Sequence, residues 1–339
     1  MGDIKKGNHT VIIITEADKI VATGHLKESM DLAEALKKRG IRVKLFVNED
    51  IDFNMRKHIS LAYNTYRRED DTSLTKQLSD CAVIITNLRM ISDNMIRKIK
   101  RDVSAPIICV DELGGRFLGA DIIINPMINT ENVDYPGRES PVYAGGKFLI
   151  LSNKIQAYRR RYIVRDEMKH ICISMGGVDR CDSTNKILDT LLRTDADWNI
   201  DVVLGGGYPN FNSIFDLTKN HPQVQIYQNI NYIYDLFVKS DVAFSAGGNT
   251  LHELACIGVP TIVIPTMEHE VENGKTFERF GFGRCLNKSE KISGTEIKAA
   301  LDIMDSLTVR KKMSDCGRNI CDGKGLERTL QIIQETIKR

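Results

Sequence analysis

The sequence has no apolar run near the roughly 20 residues that cross a bilayer, no C-x-x-C pair and almost no net charge. The opening MGDIKKGNHT and the short VIII after it lack the long apolar stretch and cleavage site of a secretory signal, so the chain is expected in the cytoplasm with no integral membrane segment. With 47 Lys and Arg against 45 Asp and Glu, the formal charge of +2 gives no broad electrostatic reason to track nucleic acid or an anionic membrane. Eight scattered cysteines, several inside apolar runs such as IICV and HICISM, read as reduced thiols rather than a disulfide framework or a zinc site. There is no G-x-S-x-G elbow, no Walker G-x-x-x-x-G-K-[ST], no H-E-x-x-H, and no G-x-G-x-x-G in the first strand-to-helix turn. Serine hydrolase, P-loop ATPase, zinc enzyme and nicotinamide dehydrogenase are therefore poor readings, and neither a metal nor a cofactor is expected.

What is present is a chain 339 residues long and 42% hydrophobic, enough for two ordinary domains. Short β-branched runs alternate with amphipathic stretches: VIIIT, a helix over about 26–39, IRVKLFV, AVIIT, a helix over about 91–101, PIICV and DIIIN. That rhythm predicts a doubly wound parallel sheet. A basic segment, SNKIQAYRRRYIVRDEMK (152–169), interrupts it. The rhythm then restarts with HICISM, a helix over about 182–193, IDVVLGG, VQIYQ, DVAFSA, a helix from about Asn249, PTIVIP and a helical tail from Ser293. The expected division is an N-terminal α/β domain over 1–151, a linker over 152–169 and a C-terminal α/β domain over 170–339 that includes the tail.

Ligands of open parallel sheets gather beyond the carboxyl ends of the strands, and three such ends are rich in glycine. In DVAFSAGGNTLHELACIGVPTIVIP (241–265), Gly247 and Gly248 precede a helix opening at Asn249 or Thr250. The free amides and positive dipole end there would favour a phosphate or pyrophosphate, and Glu253, one turn on, can accept from two ribose hydroxyls. The alternative is tight packing with a solvated Glu253. ISMGGVD places Met175, Gly176 and Gly177 after another strand, and LGGGYPN places Gly205 after the next. Three glycine-rich ends on one sheet edge are harder to ascribe to turn chemistry than one.

In the first half, ATGHLKESMDLAEAL puts Gly24 and His25 at the head of a helix, where an imidazole of ordinary pKa near ~6.5 can accept a proton from water or a hydroxyl; helix capping is the alternative. Asp111, in VDELGGR, sits beyond PIICV and can orient a sugar or do acid–base work, or simply anchor Arg116 in a turn. After PTIVIP, the residues Glu268, His269, Glu270 and Asn273 cluster at a helix start, where they can read a base or sugar hydroxyls or else cap the helix.

Taken together, ATGH with its helix, VDELGGR, ADIIINPMIN, YAGGKFLILSNKI, ISMGGVD and FSAGGNTLHELACIGVPTIVIP resemble the UDP-sugar hydrolases of pseudaminic-acid synthesis and their spore-coat polysaccharide relatives, over nearly the whole chain. That group is similar in fold to the GT-B glycosyltransferases. The resemblance implies two Rossmann-like domains facing a central cleft, with UDP on the C-terminal one. It places Gly247, Gly248, Asn249 and Thr250 at the pyrophosphate, Glu253 at the ribose and Gly176 and Gly177 along the phosphate edge. His25 matches the histidine of the family's G-x-G-H motif, which activates water for inverting attack at the anomeric carbon. Two positions depart from G-x-G-H-x-x-R, with Ala22 for the first glycine and Glu28 for the arginine. The expected function is release of UDP from an N-acetylated deoxy-sugar. The alternatives are a GT-B glycosyltransferase that uses an acceptor hydroxyl, and a non-catalytic nucleotide-sugar-binding protein. The expected partner is a small-molecule UDP-sugar; the sequence leaves the sugar and the oligomeric state open.

Overall fold

The computed structural model describes residues 10–17, 24–51, 56, 59–67, 71–88, 93–110, 119–128, 130, 135, 140–228, 230 and 233–338. Contacts divide the chain into two compact units, 1–153 with 323–339, and 154–322.

The first unit runs β1 (Thr10–Thr15), α1 (Gly24–Lys38), β2 (Arg42–Asn48), β3 (Tyr63–Tyr66), α2 (Asp71–Gln77), β4 (Val83–Asn87), α3 (Asp93–Asp102), β5 (Ile107–Val110), β6 (Ile122–Asn125) and β7 (Val142–Ala144). The strands form one sheet in the order β3-β2-β1-β4-β5-β6-β7, every neighbouring pair parallel. Side chains alternate across a strand, and β1 is apolar on both faces: Val11 and Ile13 enter one core while Ile12 and Ile14 enter the other. Leu26, Leu32 and Leu36 of α1 cover the first face, and Met95, Ile96 and Ile99 of α3 cover the second. Gly40, at φ +78°, ends α1 in the left-handed conformation before β2 begins.

The second unit runs α4 (Ile155–Arg161), β8 (His170–Ser174), α5 (Ser183–Leu192), β9 (Asn199–Leu204), α6 (Phe211–Thr218), β10 (Val224–Gln228), α7 (Tyr234–Phe237), β11 (Val242–Ser245), α8 (Asn249–Ile257), β12 (Thr261–Val263), α9 (Glu268–Arg279), β13 (Arg284–Cys285), α10 (Gly294–Met304) and α11 (Leu307–Ile320). Its sheet is again parallel, in the order β10-β9-β8-β11-β12-β13.

The observed division differs from the expected one at two places. A last helix, α12 (Gly325–Ile337), belongs to the first unit: Leu326, Leu330 and Ile333 are buried in the same core as Leu26 and Leu36 of α1. Arg39 pairs with Glu327, and Arg328 donates to the Lys147 carbonyl (2.8 Å). The basic run read as a linker also belongs, from Lys154 onward, to the second unit. Arg159 of α4 donates to the carbonyls of Cys256 and Cys321 (2.7 and 2.9 Å). Fully buried Arg310 of α11 donates to those of Arg165 and Asp166 (2.6 and 2.8 Å). A guanidinium presents five donors in a fixed fork, so carbonyls alone can satisfy it without a carboxylate.

Candidate functional site

In each unit the strand order reverses once, between β1 and β4 in the first and between β8 and β11 in the second. Such a switch point opens a crevice at the carboxyl ends of the two strands, because their following connections leave in opposite directions. The chemistry-bearing residues fall at these two places.

In the second unit the β8 and β11 ends carry the two glycine pairs. Gly176 (φ +86°) and Gly177 are exposed, and a Cβ built on either would meet nothing within 4 Å. Gly205, at the end of neighbouring β9, has the opposite character: its Cβ would lie 2.3 Å from the Gly177 carbonyl oxygen. Gly207 N donates to that same oxygen at 3.0 Å. The two loops are thus joined backbone to backbone. Tyr208 ties them again by donating to Asp182 at 2.5 Å, and burial followed by Asp182 itself raises its phenol far above the ordinary range. Met175 is buried beneath the pair.

Helix N-termini attract anions only where their amides are open. Behind Gly177 that place is taken, since Asp179 accepts from Ser183 N (2.9 Å), Thr184 N (2.8 Å) and Thr184 Oγ1 (2.6 Å) at the head of α5. These caps were missed in the sequence, because Asp179 lies three residues before the N-cap position Asp182, where a capping side chain is normally sought. The α9 head is filled too: Glu270 Oε2 accepts from Thr266 N, Thr266 Oγ1 and Met267 N at 2.8, 2.7 and 3.1 Å. Capping therefore accounts for Glu270, while His269 beside it is exposed. Gly248, which precedes α8, has no side chain to cap it with, and Gly248, Asn249 and Thr250 there are partly exposed. Asn273 is turned inward, only 8% exposed, with Nδ2 donating to the Gly247 carbonyl. Glu253 is buried and accepts from the Tyr234 hydroxyl at 2.8 Å, a partner 19 residues away that no local pattern could reveal.

In the first unit, Gly24 and His25 lie within the first turn of α1 rather than before it, and His25 is 6% exposed. Asn87, ending β4, donates through Nδ2 to the His25 carbonyl (3.2 Å), Glu28 Oε2 (3.3 Å) and Ser29 Oγ (3.2 Å). Glu28 and Glu16 are buried beside it. Asp111, Arg116 and Ala22 lie outside the described residues. Burial pushes Cys256 up to about 12 and raises Cys172 and Cys321 as well, so none of these thiols is poised as a nucleophile. Among the described residues no group of three His, Cys, Asp or Glu could hold a metal, and no helix is long and apolar enough to cross a membrane.

Residues 183–321, most of the second unit, match the model of the glycosyltransferase family 28 C-terminal domain. The chain is 27% identical over 319 residues to the spore coat polysaccharide biosynthesis protein SpsG of Bacillus subtilis, covering 92% of this chain and 94% of that protein. Among solved structures it resembles MurG of Acinetobacter baumannii, with TM-score 0.70, 14% identity and coverage of 97% of this chain and 100% of that one. It also resembles UGT2 of Phytolacca americana complexed with UDP-2-fluoro-glucose and pterostilbene, with TM-score 0.66, 13% identity and coverage of 98% and 100%. The fold is GT-B-like, and the chain is similar to proteins of polysaccharide biosynthesis.

Proposed function

We propose that the protein is a glycosyltransferase of surface-polysaccharide assembly that takes a UDP-sugar as donor. One observation carries the site: the partly exposed head of α8 behind Gly247 and Gly248, at the switch point of the unit matched by the glycosyltransferase family model. A diphosphate there would accept from the amides of Gly248, Asn249 and Thr250, with Gly176 and Gly177 allowing close approach from β8. Glu253 would take the ribose hydroxyls. His25 would serve as base: as an acceptor oxygen attacks the anomeric carbon, its proton passes to the imidazole and the C1–O bond to UDP breaks with the electron pair leaving on the diphosphate. The α8 amides stabilise that departing charge. Eight free cysteines suit a cytoplasmic setting, where the donor would be met.

The burial of His25 favours a second reading, hydrolysis, because a water reaches a 6% exposed residue more readily than a bulky acceptor does. The deciding experiment is UDP release from a panel of UDP-N-acetylated sugars, with and without candidate acceptor glycans, for the wild type and His25→Ala. Release that requires an acceptor supports transfer, and release without one supports hydrolysis. UDP binding with no turnover under any condition refutes both and leaves a binding protein. His25→Ala should lower turnover by about 10²–10⁴-fold with UDP affinity within about twofold of wild type.

A further inference from the structure

We infer that Asn273 and His252 are positioning residues that aim the Gly247–Gly248 peptide at the diphosphate, without touching the nucleotide themselves; this rests on the nucleotide reading above. The sequence offers Asn273 as a reader of base or sugar, but its side chain is buried and spent on the loop backbone. A carbonyl oxygen can only accept, so the nitrogen end of the Asn273 carboxamide faces Gly247 O. The peptide is trans, as are all others described. In a trans plane the carbonyl and the following N–H point in opposite directions. Holding the Gly247 carbonyl toward α9 therefore turns the Gly248 N–H away from α9, the direction a ligand at the partly exposed Gly248 would need.

Two further observations place the same pair in control of this peptide. Gly247 stands at φ +109°, and a Cβ on it would lie 2.9 Å from the backbone oxygen of Glu270, so the loop is pressed against the first turn of α9 and only glycine fits. His252, in the second turn of α8, brings Nε2 to 3.4 Å from the same Asn273 nitrogen. That nitrogen only donates, which makes Nε2 the bare acceptor and puts the ring proton on Nδ1. The imidazole is itself held against Phe277 of α9, with ring centroids 5.3 Å apart at 34°. Asn273 and His252 thus lock α8 to α9 across the loop, and the locked geometry fixes where the Gly248 amide points.

The test compares UDP with uridine, by calorimetry and by NMR titration at millimolar concentration, on the full chain and on Asn273→Ala, Asn273→Asp, His252→Ala and His252→Gln, each with a melting curve. A carboxylate is isosteric with the carboxamide but cannot donate, so Asn273→Asp and Asn273→Ala should both lose about tenfold in UDP affinity while uridine affinity stays within about twofold. His252→Ala should lose about threefold, and His252→Gln, whose side-chain oxygen can still accept, should keep most of the affinity. Equal weakening of UDP and uridine, or wild-type UDP affinity in a folded Asn273→Asp, overturns the inference. A wild-type protein that binds neither ligand overturns the nucleotide reading and this inference with it.

Discussion

Alanine at Gly177 separates ligand contact from turn chemistry, because the structure gives that residue no reason of its own to be glycine. Its φ is not among the positive values, and an added Cβ meets nothing within 4 Å. Replacing such a glycine stiffens the unfolded chain, so Gly177→Ala should be neutral or up to about 1 kcal/mol more stable, a rise of at most about 2–4 °C in melting temperature. A phosphate seated against this backbone would instead meet the new methyl, at an overpacking cost of about 1–3 kcal/mol, or about 5- to 150-fold in UDP affinity. Gly248→Ala should behave alike, its Cβ lying 3.6 Å from Glu270 Oε1 in ordinary contact. Gly205→Ala is the contrasting case. Its Cβ would fall 2.3 Å from the Gly177 oxygen, about 1 Å inside ordinary contact, and all three atoms it would meet are Gly177 backbone. That variant should lose about 1–3 kcal/mol of stability. Scanning fluorimetry and calorimetric UDP titration read both quantities. A Gly177→Ala protein with wild-type melting temperature and UDP affinity within twofold would refute a ligand at this loop.

Arg310→Lys leaves one ammonium where three guanidinium nitrogens serve the carbonyls of Met304, Arg165 and Asp166. A loss of about 3 kcal/mol is expected, seen as a melting temperature about 6–12 °C lower; a change under 2 °C would contradict a stabilising role for these hydrogen bonds. Asp201, half-buried on β9, has its carboxyl raised by burial, against which Tyr227 and Lys239 act in the lowering direction. Its folded pKa exceeds the unfolded one, so ionising it costs stability at neutral pH, and the wild type gains stability as pH falls through that window. Asp201→Asn should therefore melt higher than wild type at pH 7, with the gap closing near pH 4, and a constant gap would count against burial as the cause. Buried Cys109, Cys172, Cys256 and Cys321 should not react with a thiol reagent at pH 8 until the protein unfolds, whereas rapid native labelling of Cys256 would contradict its upward shift.

The buried strands were legible because continuous apolar runs such as VIII, IICV and DIIIN need cover on both faces, and a parallel sheet supplies it. By contrast, β3 reads YNTY, is partly exposed at a sheet edge, and carries no such run. The return of α12 to the first unit was hidden for a different reason. Leu326, Leu330 and Ile333 announce an apolar face, but amphipathic spacing says only that something covers it, not that the cover lies some 300 residues back on α1. At the site, the glycines were visible because their need is local. Capping by Glu270 was one of two open readings, and Glu270 does accept from Thr266 and Met267 at the head of α9. Tyr234 on Glu253 and Asn273 on Gly247 escaped, since each is a tertiary contact between residues that look ordinary in their own segments.

The two crevices differ in the groups they offer. Each ends in buried polar atoms with no partner among the described residues: Thr15 Oγ1 and Asn87 Oδ1 in register across β1 and β4, and Ser245 Oγ on β11. In the first crevice Glu16, Glu28 and His25 are buried, and the Asn87 nitrogen is already spent on α1. In the second crevice Gly248, Asn249 and Thr250 at the head of α8 are partly exposed, and the carboxylates of Asp179 and Glu270 are occupied as caps. An anion gains from donors and is repelled by buried carboxylates. Inorganic pyrophosphate should therefore perturb NMR signals of Gly248, Asn249 and Thr250 and leave those of His25 and Ser29 unmoved. Shifts confined to α1 would reverse the assignment.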